Sequence, residues 1–231
     1  MEGGQLGNAI EVARERYADK YVVRAAVQAI PWIGGSLDTL VTGGIARIQL
    51  RRVEDFLAEL NLRMQLVEHT AVNLEDDAFS DFIFAALESA ARTRSQEKRS
   101  RLAQVIRRQV EDALPWDDAD NALRLTGTLE EMHFRVLGAV MSAPVLGEPF
   151  NGLRVVALEP QVQEGASRSM AMDLNAALQE YDLSTLRLAC SELVARGLLR
   201  DEGVGRIGTK AMNYFVATDL AQWLDGWLSS D

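Results

Sequence analysis

The sequence predicts a mainly helical protein in which a helical bundle is followed by a smaller module of helices and a short β-hairpin. Three observations predict it. Apolar residues recur at steps of three and four through most of residues 6–110, as one buried face of each helix requires. A proline followed by an acidic run, Leu114-Pro115-Trp116-Asp117-Asp118-Ala119-Asp120, interrupts that pattern. Beyond it, residues 182–228 pass through an apolar helix, a short apolar strand, a glycine-rich loop, a second strand and a closing helix.

The elements follow in chain order. Leu6, Ile10, Ala13, Tyr17 and Tyr21 form the first helical stripe. It runs on to Ile30 and stops at Pro31, because proline disfavours helix in the residue before it. Pro31-Trp32-Ile33-Gly34-Gly35 reads as a turn. A longer helix carries Leu37, Val41, Ile45, Ile48, Phe56, Leu60, Met64 and Val67, with a break at Gly43-Gly44. A third uses Phe79, Phe82, Ile83, Ala86 and Ala90, and a fourth starts near Ser95 and uses Leu102, Val105, Ile106 and Val110. Helices of this length with short connections pack as a bundle. Residues 1–115 are therefore assigned to a helical bundle, 116–127 to an acidic linker and 128–231 to a second domain.

In that second domain, Thr128 with Glu131 three residues later reads as a capping box. It opens a helix with Leu129, Met132, Val136, Leu137 and Val140 facing inward. Residues 144–168 hold one strand-like run, 153–158, among prolines and glycines. A helix is expected over 169–180, and a tight Tyr181-Asp182-Leu183 turn leads into the next. That helix is capped by Asp182 or Ser184, is apolar at Leu186, Ala189, Leu193 and Val194, and closes at Gly197. Leu198-Leu199, a loop with Gly203, Gly205 and Gly208, and Tyr214-Phe215-Val216 make a hairpin, and Thr218 caps a last helix over 219–228. Helix, strand, loop, strand is the order of a winged helix-turn-helix. The predicted fold class is thus mainly α, an N-terminal helical bundle followed by a C-terminal winged helix-turn-helix domain with a small β-wing.

The run Leu186-Arg187-Leu188-Ala189-Cys190-Ser191-Glu192-Leu193-Val194-Ala195-Arg196-Gly197-Leu198-Leu199 resembles the recognition helix and first wing strand of bacterial winged-helix regulators of the MarR-like kind. Those proteins often read leucine, three residues, glycine-leucine at this junction, as Leu193 to Leu198 does. Tyr214-Phe215-Val216-Ala217-Thr218-Asp219-Leu220 is similar to their second wing strand running into a threonine-capped helix. The resemblance covers residues 128–228 and departs from the family in the long 144–168 segment between the first two helices. It implies a DNA-binding or a protein-binding module, since winged helices do both. In the first half, residues 29–38 and Ser95-Gln96-Glu97-Lys98-Arg99 resemble helical domains of uncharacterised bacterial proteins, some from accessory or phage-defence loci. That likeness implies an interaction or antiviral-defence role and brings no catalytic residue.

Composition narrows the chemistry. Hydrophobic residues make up 48% and charged residues 25%, as in an ordinary globular protein. The lone Cys190 excludes an internal disulfide and fits a reducing, cytoplasmic setting. Its place on the apolar side of a helix reads as a small core residue. The chain opens without a basic and apolar leader, so no secretory signal is expected. His69 and His133 stand far apart and in no metal-ligand spacing, and the glycine pairs match neither a dinucleotide fingerprint nor a P-loop. Glu75-Asp76-Asp77 precedes a helix, where acids favour the macrodipole. No catalysis, metal or cofactor is expected.

The formal net charge is −10 and is unevenly divided. Residues 1–115 carry 15 basic and 17 acidic side chains, whereas residues 116–231 carry 9 and 17. The half that reads as a DNA-binding module is the acidic half. Its candidate contacts to a partner or to DNA are Ser184, Thr185, Arg187, Leu188 and Ser191 on the recognition-position helix, with Arg206 and Lys210 on the wing. The most basic stretch lies elsewhere. Arg92, Arg94, Lys98, Arg99, Arg101, Arg107 and Arg108 form a candidate dock for an acidic partner, with Lys98, Arg101 and Arg108 as one exposed stripe. The same pattern also fits a solvated face with local ion pairs. Trp223 and Trp227 share one helix face and read as core. The apolar 22–46 segment is interrupted by Arg24, Gln28, Pro31 and Asp38, which fits a buried hairpin better than a membrane span.

Three readings follow. The first is a non-enzymatic interaction or regulatory protein whose winged helix docks a protein partner, or a second copy, within an oligomer or larger complex. The second is a DNA-binding regulator with the helical half serving dimerisation. The third is a membrane-acting effector using the 22–46 hairpin.

Overall fold

A computed structural model describes residues 44–65, 67, 71–73, 76–147, 150, 152–159, 171–204 and 210–229. The helix expected over 6–30, the turn at 31–35, His69, and the 22–46 hairpin up to Gly43 lie outside the described residues. The described chain is mainly helical with a small four-stranded sheet. It divides into two compact units, Met1–Thr128 with Trp227–Asp231, and Leu129–Gly226.

The first unit contains α1 (Gly44–Met64), α2 (Asp77–Arg92), α3 (Gln96–Asp112) and α4 (Trp116–Thr128). α1 packs on α2 and α3, and α4 on the same two helices. The apolar stripes make the core. Val53, Phe56, Leu57, Leu60, Phe79, Phe82, Ile83, Leu102, Val105 and Ile106 are all buried. Helix starts follow side-chain chemistry: Asp76 accepts from the Ala78 amide at 3.2 Å, and Ser95 from the Lys98 amide at 3.1 Å, each satisfying an amide the helix cannot.

The expected linker at 116–127 is instead helix α4. The Pro115 carbonyl accepts from the Asp118 and Ala119 amides at 3.0 and 3.1 Å, so the proline stands at a helix entrance, where its missing N–H does no harm. Asp117 and Asp118 lie in the first turn, where carboxylates favour the macrodipole. Ala119, Ala122, Leu123 and Leu125 are buried, and the Trp116 ring lies 6.5 and 5.8 Å from those of Phe79 and Phe82.

One acid in this helix works against the fold. Burial first, then the charges of Asp117 and Asp81, push the Asp120 carboxyl above its ordinary range. A carboxyl raised in this way weakens the folded state at neutral pH, and the penalty fades as pH falls through its folded pKa. Asp120→Asn is therefore expected to raise the urea midpoint at pH 7. The gain should vanish below the unfolded carboxylate range near ~3.9, and an equal gain at both pH values would contradict this cause.

The second unit contains α5 (Glu131–Ser142), β1 (Val156–Ala157), β2 (Met172–Asp173), α6 (Leu174–Ala177), α7 (Leu183–Ala195), β3 (Leu199–Asp201), β4 (Tyr214–Ala217) and most of α8 (Asp219–Leu228). The sheet order is β2-β1-β4-β3. β4 pairs antiparallel with β1 and with β3, and β1 pairs parallel with β2. Strand alternation sends Val155, Ala157, Tyr214 and Val216 into one cluster with Leu146, Phe150 and Ala171. The long segment after α5 thereby lays Leu146 and Phe150 over a face of the sheet, with the Phe150 ring 5.5 Å from Tyr214. Val156 and Phe215 alternate to the opposite face and are fully buried.

Two local expectations are corrected. The helix expected over 169–180 is a single turn, because Met172 is drawn into the sheet, its amide donating to the Val155 carbonyl at 3.2 Å. Asp173 then caps α6 by accepting from the Ala176 amide at 3.0 Å. The start of α5 is set by Glu130 and His133, not by Thr128 and Glu131: the Glu130 amide donates to His133 Nδ1 at 2.9 Å. Thr128 instead closes α4, its hydroxyl donating to the Leu125 carbonyl.

Candidate interaction surface

α7 begins at Asp182, which accepts from the Thr185 amide at 2.8 Å and the Thr185 hydroxyl at 2.9 Å. It ends in a reciprocal pair of bonds. The Leu198 amide donates to the Leu193 carbonyl, and that of Gly197, at φ +73°, to the Val194 carbonyl. This is a Schellman close, which needs a left-handed residue. Thr218 ties α8 to the same corner by donating to the Gly197 carbonyl at 2.6 Å.

The two Thr185 bonds hold the Asp182 carboxyl below its ordinary range. A depressed folded pKa gives stability that is fully present above the unfolded pKa and is lost as pH falls through the folded one. Asp182→Asn is expected to flatten the acid limb of the stability profile below pH ~4. An unchanged limb would remove Asp182 from the cause.

The outward residues of α7 are distributed as follows. Ser184, Arg187 and Leu188 are exposed, Leu188 to 56%. Thr185 and Ser191 are half-buried, the first engaged by Asp182 and the second donating to the Arg187 carbonyl at 2.8 Å. Arg187, the one basic side chain of α7, reaches Glu159 at 2.9 Å, with each partner about half exposed. Such a pair adds only ~0–1 kcal/mol to stability. Its consequence is electrostatic, since the cation of this helix is neutralised.

Glu159 is itself held in place. Asn213, buried in front of β4, accepts from the Glu159 amide at 2.9 Å and donates to the Glu159 carbonyl at 3.0 Å. The β3–β4 hairpin is knotted at its base by Asp201, which accepts from the Gly203 amide at 2.8 Å and the Met212 amide at 2.6 Å. Lys210 is exposed on this loop, and Arg206 lies outside the described residues.

Behind the surface, His133 on α5 meets Glu192 on α7, Nε2 to Oε2, at 2.8 Å. Because Nδ1 accepts from the Glu130 amide, Nε2 carries the proton and donates to Glu192. The histidine ties two helices together. Cys190 is buried, and desolvation pushes its thiol up to about 12, which leaves it protonated and unreactive.

The expected basic stripe is not formed. Lys98 and Arg99 are buried at 4% and 6% exposure, and Arg101 and Arg108 are half-buried. Arg99 donates to the Thr93 and Arg94 carbonyls and to Asp55 at 3.3 Å. Arg107 and Arg108 pair with Glu111 and Asp112 at 3.1 and 3.2 Å, acids lying just past the basic run. Arg92 is exposed and paired with Glu88 at 2.6 Å, and Arg94 is exposed. The charge of this helix is thus largely balanced inside the first unit. Trp227 is buried and Trp223 half-buried.

Among the described residues no helix is long and apolar enough to cross a membrane, and no three His, Cys, Asp or Glu side chains are arranged to hold a metal ion. Neither a protein-family model, nor a curated protein, nor a solved structure matches the chain.

Proposed function

We propose that residues 129–228 form a winged helix whose α7 face docks a protein partner, or a second copy, as a non-enzymatic component of an oligomer or larger complex. The chain order supports the fold: β1, lying between the first two helices of the unit, pairs with the returning strand of the hairpin, giving β1-β4-β3 with α7 as the recognition-position helix. The pairing of Arg187 with Glu159 carries the functional reading. Duplex affinity comes mainly from Lys and Arg neutralising phosphates, and here the cation of α7 already faces a carboxylate. Asp182, kept ionised at the helix N-terminus, occupies the end that otherwise attracts phosphate. The exposed Leu188 beside Arg187 is the kind of apolar surface that a polypeptide buries.

The test is fluorescence anisotropy of a labelled random duplex at about 50 and 200 mM salt, between which phosphate contacts lose most affinity. Protein docking requires no binding at either. Tight binding at the lower salt that collapses at the higher overturns it. The second reading, a DNA-binding regulator, draws on the exposure of Ser184, Arg187 and Lys210. It requires charge reversal at Arg187 and Arg206 to abolish that binding.

A further inference from the structure

Glu159 does not come to α7 on a loose loop. The Leu158 amide donates to the Asn213 carbonyl at 3.0 Å, continuing the β1–β4 pairing one step. Beyond that step the Asn213 carboxamide replaces a strand partner, binding both the amide and the carbonyl of Glu159. Asn213 is 4% exposed, and a buried carboxamide satisfied on both its ends holds one orientation. The main chain of Glu159 is therefore clamped, and its side chain leaves from a set point toward Arg187, 28 residues further along the chain, meeting it at 2.9 Å.

We propose that Glu159 is the specificity-determining residue of the α7 face, rejecting polyanions so that the face admits a polypeptide. A phosphate approaching Arg187 must compete with a carboxylate whose main chain is held within reach of the same guanidinium, and like charges at that range repel. A polypeptide meets a neutral pair beside exposed Leu188. This inference rests on the protein-docking reading.

The test compares the full chain with Glu159→Gln and with Glu159→Gln/Arg187→Gln, using the same duplex titration. Glutamine keeps the main-chain bonds to Asn213, so thermal unfolding should be unchanged. The expected result is no duplex binding by the native chain and clear binding by Glu159→Gln. Half-saturation should fall at least tenfold below the highest concentration at which the native chain stays unbound. The new binding should weaken with salt by a slope of ~0.9 per phosphate contact, and the second substitution should abolish it. A native chain and a Glu159→Gln variant that both fail to bind would overturn the role of Glu159 and leave the docking reading standing. Gain of binding that survives Arg187→Gln would overturn the role of the pair. Binding by the native chain as tight as that of the variant would overturn the docking reading, and this inference with it.

Discussion

Phe215→Ala is expected to destabilise the protein by roughly 3–5 kcal/mol, the range for emptying a buried phenylalanine site. Phe215 is fully buried and sits where β4 is paired on both sides, opposite Val156 on β1 and Asp201 on β3. Truncation leaves a cavity at the one position where the two antiparallel ladders meet, and neither neighbouring strand can collapse into it without losing register. A loss of that size is a large share of the ~5–15 kcal/mol that holds a typical domain together. It should lower the melting temperature by at least ~6 °C. Leu188→Ala, at an exposed position on α7, provides the contrast, with an expected change within ~0.5 kcal/mol. Equal melting of Phe215→Ala and the native protein would contradict the burial of that ring.

The second large effect is expected at Gly203, from space alone. A Cβ there would lie 2.1 Å from the Lys210 carbonyl oxygen and 3.0 Å from Asp201 Oδ1. The first is main chain, so no side-chain rotation relieves it, and the two sides of the hairpin must separate. Separation breaks the bond that Asp201 accepts across the hairpin from the Met212 amide. Gly203→Ala should lower stability by roughly 1–3 kcal/mol, as overpacking does elsewhere. The Met212 amide should lose its protection from hydrogen exchange. A protected Met212 amide together with an unchanged urea midpoint would show that the hairpin base tolerates the methyl group.

Local signals explain what was legible in the sequence. The stripes of α2 and α3, the left-handed close at Gly197 and the threonine start of α8 depend on neighbours within a few residues, and all three formed as expected. The 116–127 segment reads as linker from its proline and acids, yet these are helix-start chemistry, and Trp116, Ala119, Leu123 and Thr126 step by three and four as α4 requires. The expected helix over 169–180 yields to parallel pairing with β1, which lies within the strand-like run 153–158; the strand has a local signal, but its pairing with Met172 and Asp173 has none. His133 stands in no metal-ligand spacing, and its capping role follows from its place three after Glu130.

The surface was half legible. Periodicity puts Ser184, Thr185, Arg187, Leu188 and Ser191 on the outer side of α7; Ser184, Arg187 and Leu188 are exposed, whereas Thr185 and Ser191 are half-buried. Their electrostatic setting is not legible, because Glu159 reaches Arg187 from 28 residues away and is itself held by Asn213, 54 residues from it, in pairings that no local pattern encodes. The basic stripe fails because Lys98 is buried and Arg101 and Arg108 are half-buried, and the acids that pair with Arg107 and Arg108 follow the run at i+4.

Whether the α7 face takes protein or nucleic acid is decided most directly by nuclear magnetic resonance on the isotope-labelled chain. A random-sequence duplex is added at about 50 mM salt, where phosphate contacts are strongest, and the amides of residues 184–191 with the Arg187 Nε–H are followed. Protein docking requires these signals to stay where they are through the titration. Their progressive shift, reversed when salt is raised to about 200 mM, would mean that Arg187 leaves Glu159 for phosphate and that α7 is a nucleic-acid surface.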